Sequence, residues 1–226
     1  MRYVSISGPS ACGKDTVLRL VMAQLPNTGL SISCTTRAPK THADGYTETD
    51  GVDYFFMTEE AFRNLRDHNG LLEYTEKSSG SYGTPIWYLD KLKKEGKDTI
   101  FLNVDMKGAI NLKKLYPTTT SIYIVPPSAE ELYRRMVVRG RDEEPVRLKR
   151  MADNKKEILI AHHCEYLVLN DVADQAARDI LRILTQPEEC ASLRMENQPA
   201  LLAEIREMLA AWQPPQSASP APAGCP

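Results

Sequence analysis

The stretch Gly8-Pro9-Ser10-Ala11-Cys12-Gly13-Lys14-Asp15-Thr16 follows directly on the apolar run Tyr3-Val4-Ser5-Ile6-Ser7 and precedes a helical pattern. That order predicts a strand, a glycine-bearing loop and a helix in immediate succession. Gly8 and Gly13 at this spacing let the backbone curl so that successive N–H groups point inward. Lys14 adds a point charge and the helix N-terminus adds partial positive charge, so the loop is expected to cradle phosphate. A P-loop normally places Ser or Thr after its lysine to meet Mg²⁺, whereas here Asp15 stands there and Thr16 follows. Both are therefore candidate magnesium ligands, and Asp15 can equally act as a favourable carboxylate in the first helical turn.

Composition narrows the partners. With 226 residues, 42% hydrophobic and 26% charged, the chain has the makings of a folded core and is not a disordered polymer. A net charge of −2 spread over both signs provides no broad basic field, so nucleic acid is not an expected partner. No apolar run approaches the roughly 18 residues of a membrane span, and the first strand starts almost at Met1, so neither a membrane anchor nor a leader is expected. The five cysteines are odd in number and widely spaced, which suits free thiols and predicts a reducing, cytoplasmic location.

Along the chain, Val17, Leu18, Leu20, Val21 and Leu25 share one helical face that Pro26-Asn27 ends, and a strand is expected over 30–33. Arg37 and Lys40 then stand three residues apart in a polar, proline-stiffened segment. Residues 41–53 are acidic and glycine-punctuated, and read as an exposed loop with solvated carboxylates. Strands over 54–57 and 71–75 flank a helix begun by Thr58, so 34–84 reads as a small mixed β module. Strand and helix alternate again from Pro85. The run 99–104 ends in Asp105, where open α/β sheets bind ligands. Ser128-Ala129-Glu130-Glu131 is a capping box opening a helix with Arg134, Arg135 and Arg139. A charged segment over 140–145 leads to a polar helix with Arg150, and the last core strand, 166–169, ends at Asn170-Asp171.

The expected fold is α/β: a P-loop doubly wound parallel sheet (core 1–33 and 85–186) with the inserted small mixed β module and a helical lid at about 139–150. An extension, 187–226, carries one amphipathic helix at about 197–212, read as a surface appendage, with a docked helix or partner-binding element as the alternative. Its Pro/Ala/Ser tail, 214–226, is too poor in apolar residues to fold. Two pockets facing each other, one for phosphates and one in the module, suit group transfer.

Seven motifs occur in one order over about three-quarters of the chain. They are Gly8-Pro9-Ser10 with Gly13-Lys14, Ser33 with Thr35-Thr36-Arg37-Ala38-Pro39, Gly51-Val52-Asp53-Tyr54, Tyr82-Gly83-Thr84, Val104-Asp105 with Gly108, Pro126-Pro127-Ser128, and Arg139-Gly140. In this arrangement the chain resembles guanylate kinases. The resemblance implies phosphoryl transfer from ATP to GMP or dGMP with Mg²⁺, and a small-molecule site with no nucleic acid or membrane partner. It implies that the loop from Gly8 to Thr16, with Asn170, binds ATP. It implies that Ser33, Arg37, Lys40, Tyr54, Glu73, Tyr82, Thr84 and Asp105 bind GMP. Arg37 would fork onto the GMP phosphate, Glu73 would accept from guanine N1 and N2, Thr84 would donate to O6 and Asp105 would take a further amino hydrogen. Lys14, Arg37, Arg135, Arg139 and Arg150 would stabilise the transferring phosphoryl group, with Arg134 and Arg141 as solvated neighbours.

Three departures bear on that reading: Lys40 where the family carries a second arginine, the long acidic loop after it, and Asp15. The Gly-Lys-Asp loop also resembles ribose 1,5-bisphosphate phosphokinases, which gives an alternative acceptor. A non-catalytic guanylate-kinase-like binding module is the alternative from another class.

Overall fold

The computed structural model describes residues 1–77 and 79–215. The apolar start of the chain is strand β1 (Arg2–Ser7), whose last four residues are buried. After the loop come helix α1 (Lys14–Gln24) and strand β2 (Thr28–Leu30). The inserted module follows as β3 (Cys34–Thr35), β4 (Phe55–Phe56), α2 (Glu59–Asp67), β5 (Leu71–Lys77) and β6 (Gly80–Pro85). The core resumes with α3 (Ile86–Lys94), β7 (Thr99–Asn103), α4 (Met106–Leu115), β8 (Thr120–Val125) and α5 (Ala129–Arg139). It closes with α6 (Glu144–Glu157), β9 (Tyr166–Leu169), α7 (Ala173–Thr185) and α8 (Pro199–Ala211).

The five core strands form one parallel sheet in the order β2-β7-β1-β8-β9. Both faces are covered, as alternation along β7 makes plain. Phe101 joins the cluster of Val4, Ile6, Val17 and Leu18, whereas Ile100 and Leu102 join Leu89, Leu92 and Leu112 on the opposite face. With β1 between β7 and β8, the strand order reverses at β1, and a crevice opens beyond the carboxyl ends there. The module has its own mixed sheet, β4-β3-β6-β5, with β3 and β4 parallel and the other pairs antiparallel.

The strand expected over 30–33 lies earlier. Asn27 takes a left-handed φ of 57°, so the chain reverses at once and pairing with β7 begins at Thr28. Ser128 caps α5 as expected, accepting from the Glu131 N–H at 3.0 Å. Gly140, at φ 68°, ends that helix and opens the four-residue turn before α6.

The C-terminal helix corrects a sequence expectation. α8 is not a surface appendage: Leu202, Ile205, Leu209 and Trp212 belong to the main core cluster. Trp212 packs on Tyr133 of α5 with ring centroids 5.0 Å apart, and Lys155 of α6 donates to the carbonyls of Ala210 and Trp212 at 3.2 and 3.0 Å. The extension thus braces both helices that flank the turn 140–143. Trp212→Ala is expected to lower the unfolding free energy by about 3 kcal/mol, as for a large aromatic truncated at a packed site. Urea denaturation measures it, and a loss under about 0.5 kcal/mol, the range of ordinary surface substitutions, would return α8 to the appendage reading. The tail expectation over 216–226 lies outside the described residues. No helix among the described residues is long and apolar enough to cross a membrane.

Candidate active site

The loop between β1 and α1 is shaped by contacts only its residue types permit. A Cβ on Gly8 would stand 2.2 Å from the Ile124 carbonyl oxygen, and one on Gly13 (φ 93°) would stand 2.4 Å from Asn170 Nδ2. That closeness lets Asn170 Nδ2 donate to the Cys12 carbonyl at 2.7 Å from beneath. Arg135 converges on the same place: Nη1 donates to Cys12 O at 3.2 Å and Nη2 to Asn170 O at 3.0 Å. Glu131 aims it, accepting from Arg135 Nε at 2.8 Å, and the hydrogen bonds from Arg134 and Arg135 pull the Glu131 pKa down to about 2.

Lys14 Nζ donates to the carbonyls of Gly8 and Pro9 at 2.6 and 3.0 Å, which sets its ammonium over the curl of the loop. Ser10 is tied to α6 twice. Its N–H donates to Asn154 Oδ1 at 2.9 Å, and its hydroxyl accepts from Arg150 Nη1 at 2.8 Å. Asp142, in the turn 140–143, holds Arg150, 2.9 Å from its Nε. At the start of α1, Asp15 and Thr16 are exposed, and Asp15 Oδ1 accepts from Asn103 Nδ2 at 3.0 Å at the end of β7.

Across the crevice, the module presents a second polar site. Arg37 donates from Nε to the Tyr82 hydroxyl at 3.1 Å and lies over the Tyr54 ring at 5.0 Å. Its fork is filled by Glu48, at 2.5 and 2.7 Å, and Nη1 also reaches Ala38 O at 2.9 Å. The Glu48 side chain is only 8% exposed. Burial works to raise its pKa, but hydrogen bonds from Arg37 and from the Lys40 N–H, with the charges of Arg37 and His42, outweigh it and hold the carboxyl below its ordinary range. The expectation of solvated carboxylates throughout 41–53 is corrected here: Arg37, fixed on β3's exit, draws Glu48 out of water.

Deeper in the module, Glu73 of β5 is 6% exposed and accepts from the Thr84 hydroxyl of β6 at 2.7 Å. A hydroxyl has one proton, so Thr84 orients this carboxylate rather than presenting a donor to the cleft. Helix α4 comes close enough that a Cβ on Gly108 would stand 2.8 Å from Glu73 Oε2. Asp105 caps α4, accepting from the Gly108 N–H at 2.8 Å.

One cleft of about 1060 Å³ joins the two sides. Of the predicted residues it is lined by Ser10, Ala11, Gly13, Lys14, Asp15, Thr16, Ser33, Arg37, Lys40, Tyr54, Glu73, Tyr82, Asp105, Arg135, Arg139 and Arg150. Gly8, Pro9, Cys12 and Asn170 form or support the loop from behind, and Thr84 stands behind Glu73. Sequence reasoning missed Glu48, Asn103 and Arg141, which also line the cleft. Only Asn103 carried a signal, its place at the carboxyl end of a central strand. The Arg139 side chain makes no hydrogen bond among the described residues. Desolvation first, then the nearby Arg141 and Arg150 cations, lower its pKa.

A cleft with an anion-holding loop at one end and an arginine with two phenols at the other can hold two phosphorylated ligands facing each other. Comparison with known proteins agrees with that architecture. The family model described as Guanylate kinase matches residues 1–187. This chain belongs to the guanylate kinase family. The guanylate kinase of Synechocystis sp. is 35% identical over 187 residues, covering 83% of this chain and 95% of that protein. That of Caldanaerobacter subterraneus is 35% identical over 204 residues, covering 90% and 94%. Among solved structures, the guanylate kinase of Anaplasma phagocytophilum matches with a TM-score of 0.61 at 27% identity, covering 90% of this chain and 93% of that one. Guanylate kinases are ATP-dependent nucleoside monophosphate kinases, so the paired sites fall within a known enzyme class.

Proposed function

We propose that this guanylate kinase family member transfers the γ-phosphoryl group of ATP to GMP or dGMP, giving ADP and GDP or dGDP. The observation that carries the proposal is the one cleft lined on one side by Ser10, Gly13, Lys14 and Thr16 of the loop and on the other by Arg37, Tyr54, Tyr82 and Glu73, the last held by the buried Thr84. ATP phosphates lie on the loop, over Lys14, with Arg135 and Asn170 bracing the Cys12 carbonyl behind it. GMP lies in the module. Its phosphate meets Ser33, Lys40 and the Tyr54 and Tyr82 hydroxyls, and Arg37, whose four hydrogen bonds go to protein partners and whose charge Glu48 balances, takes the phosphate in its fork only where Glu48 gives way. Its base places N1–H and N2–H on Glu73, with Asp105 alongside. Adenine offers the wrong edge to those carboxylates.

The acceptor phosphate is already anionic, so no general base is required, and positioning with charge neutralisation does the catalytic work. Arg139 and Arg150 supply positive charge over the transferring group. Mg²⁺ entering with ATP supplies further neutralisation of the phosphate oxygens. The exposed Asp15 carboxylate and Thr16 hydroxyl, hard oxygen donors at the loop exit, would hold it. A cation carried largely by phosphate needs few protein ligands, and no cluster of three or more His, Cys, Asp or Glu stands among the described residues. Asp15→Ser is expected to raise the Mg²⁺ concentration giving half-maximal rate. An identical Mg²⁺ titration would leave Asp15 as the partner of Asn103 alone.

Lys14, Arg135 and Arg139 are all retained, which favours an enzyme over a binding module. The buried Glu73–Thr84 pair favours a purine over a sugar bisphosphate. The buried free thiols Cys12, Cys34, Cys164 and Cys190 support a cytoplasmic setting. A coupled ADP-release assay with GMP, dGMP, AMP, UMP and ribose 1,5-bisphosphate tests the proposal. Turnover with the guanine nucleotides is expected. Turnover with the sugar bisphosphate alone would overturn the acceptor, and none with any would favour the binding module.

A further inference from the structure

Residues 41–47 leave the module and cross to the lid. They fold back as a hairpin, with a bridge between Thr41 and Thr47 and the His42 N–H donating to Tyr46 O at 2.8 Å. The Tyr46 hydroxyl donates to Asp53 Oδ2 at 2.6 Å, and Asp53 Oδ2 accepts from the Thr49 N–H at 2.8 Å, so the hairpin is anchored at its base. Its tip meets one lid residue in three ways. The Ala43 N–H donates to the Arg141 carbonyl at 3.3 Å, Asp44 Oδ2 lies 3.6 Å from Arg141 Nε, and the Arg141 guanidinium stands 5.0 Å from the Tyr46 ring centre. Arg141 is thereby not the solvated neighbour expected from sequence.

The contact falls at a telling place in the chain. Arg141 follows the left-handed Gly140, which follows Arg139, a cleft cation whose side chain makes no hydrogen bond among the described residues. Asp142 comes next, and it holds Arg150, which bonds Ser10 of the phosphate loop. The lid turn is therefore stitched at one end to the phosphate loop and at the other to the inserted module.

We propose that the 41–47 hairpin is a latch and that Asp44, Tyr46 and Arg141 are positioning residues for the phosphoryl transfer. The latch fastens the lid turn to the module, so that the placement of Arg139 over the cleft depends on the module's position. None of the three touches a nucleotide in the arrangement proposed above. A partly exposed ion pair, a cation–π contact and one backbone hydrogen bond are each weak, which suits a fastening that must open in every cycle to release product. The kinetic consequence rests on the kinase reading of the cleft; the contact itself does not.

Asp44→Lys, Arg141→Glu and the double exchange of charge test it, in the full chain. Hydrogen exchange is measured across 139–146, together with kcat and KM for GMP phosphorylation and ATP hydrolysis without acceptor. Each single change is expected to speed exchange in that segment roughly fivefold, the size of such contacts. Each should also lower kcat more than it raises either KM, and raise acceptor-independent hydrolysis as water enters a looser lid. The double exchange, which remakes the ion pair but not the cation–π contact, should restore all three in part. Unchanged exchange in both single variants, or no recovery in the double, would overturn the latch. Faster exchange with recovery in a protein that does not phosphorylate GMP would uphold the latch and overturn the acceptor reading instead.

Discussion

Replacing Glu73 by alanine is expected to cost about 10²- to 10³-fold in the kcat/KM preference for GMP over AMP while leaving ATP binding intact. The estimate follows from the size of discrimination achieved by sites built to hydrogen-bond a substrate N–H, of which Glu73 would be the principal acceptor. The carboxylate is buried at 6% exposure, clamped by the Thr84 hydroxyl and packed against Gly108, so it cannot be replaced by a rearranged neighbour or by bulk water. Alanine also strands the fully buried Thr84 hydroxyl, at a cost of about 1–3 kcal/mol in stability. Glu73→Gln separates the two effects. Its amide oxygen can keep the Thr84 bond, so stability is largely retained, while its NH₂ turns a donor toward the donors of guanine. Loss of preference in both variants, with stability lost only in alanine, is the expected pattern. An unchanged GMP-to-AMP ratio in Glu73→Gln would remove Glu73 from base recognition.

Arg139→Ala is expected to lower kcat about 10³-fold, the scale of an arginine that neutralises a transferring phosphoryl group, with little change in protein stability. The arginines around the cleft are not equivalent, and their bonding separates them. Arg37 is held by Glu48, Tyr82 and Ala38, Arg135 by Glu131, Cys12 and Asn170, Arg150 by Ser10 and Asp142, and Arg141 by the hairpin. Of these five side chains only that of Arg139 has neither a hydrogen bond nor an ion pair among the described residues, whereas Arg141 keeps its ion pair with Asp44, so the Arg139 guanidinium has its donors to offer to substrate. Arg135→Ala should behave differently, because two of its bonds hold the phosphate loop and its neighbour in place; there the KM for ATP should rise as well. Steady-state kinetics with ATP and GMP varied in turn distinguishes them. A kcat for Arg139→Ala within a few-fold of the parent would move the charge-neutralising role to another cation.

Much of this was legible along the chain because it depends on neighbours in sequence. The glycine spacing before Lys14 encodes a phosphate loop, since backbone curl and helix start are local matters. Helix α5 announces itself by its capping box, and β9 by its short apolar run. The ordered motifs placed the family before any contact was visible. The length and acidity of 41–53 were equally plain, and so was the oddity of Asp15.

Whether a charge on that loop sits in water or in a fork, however, depends on what lies opposite it in space. Glu48 is eleven residues from Arg37 and buried against it, while Asp44, on the same loop, reaches Arg141 in the lid. Nothing local distinguishes those two carboxylates. Thr84 is likewise a hydroxyl of open purpose until β5 and β6 pair and bring it to Glu73, and α8 is an amphipathic helix without an address until α5 and α6 present Tyr133 and Lys155. The sequence by itself determined the phosphate loop, the alternating core and the inserted module, set by backbone preference and apolar spacing, and its ordered motifs carried the family resemblance. Only the tertiary structure decided which polar groups meet, because a charge or hydroxyl takes its role from the partner that desolvates it, and those partners are distant in the chain.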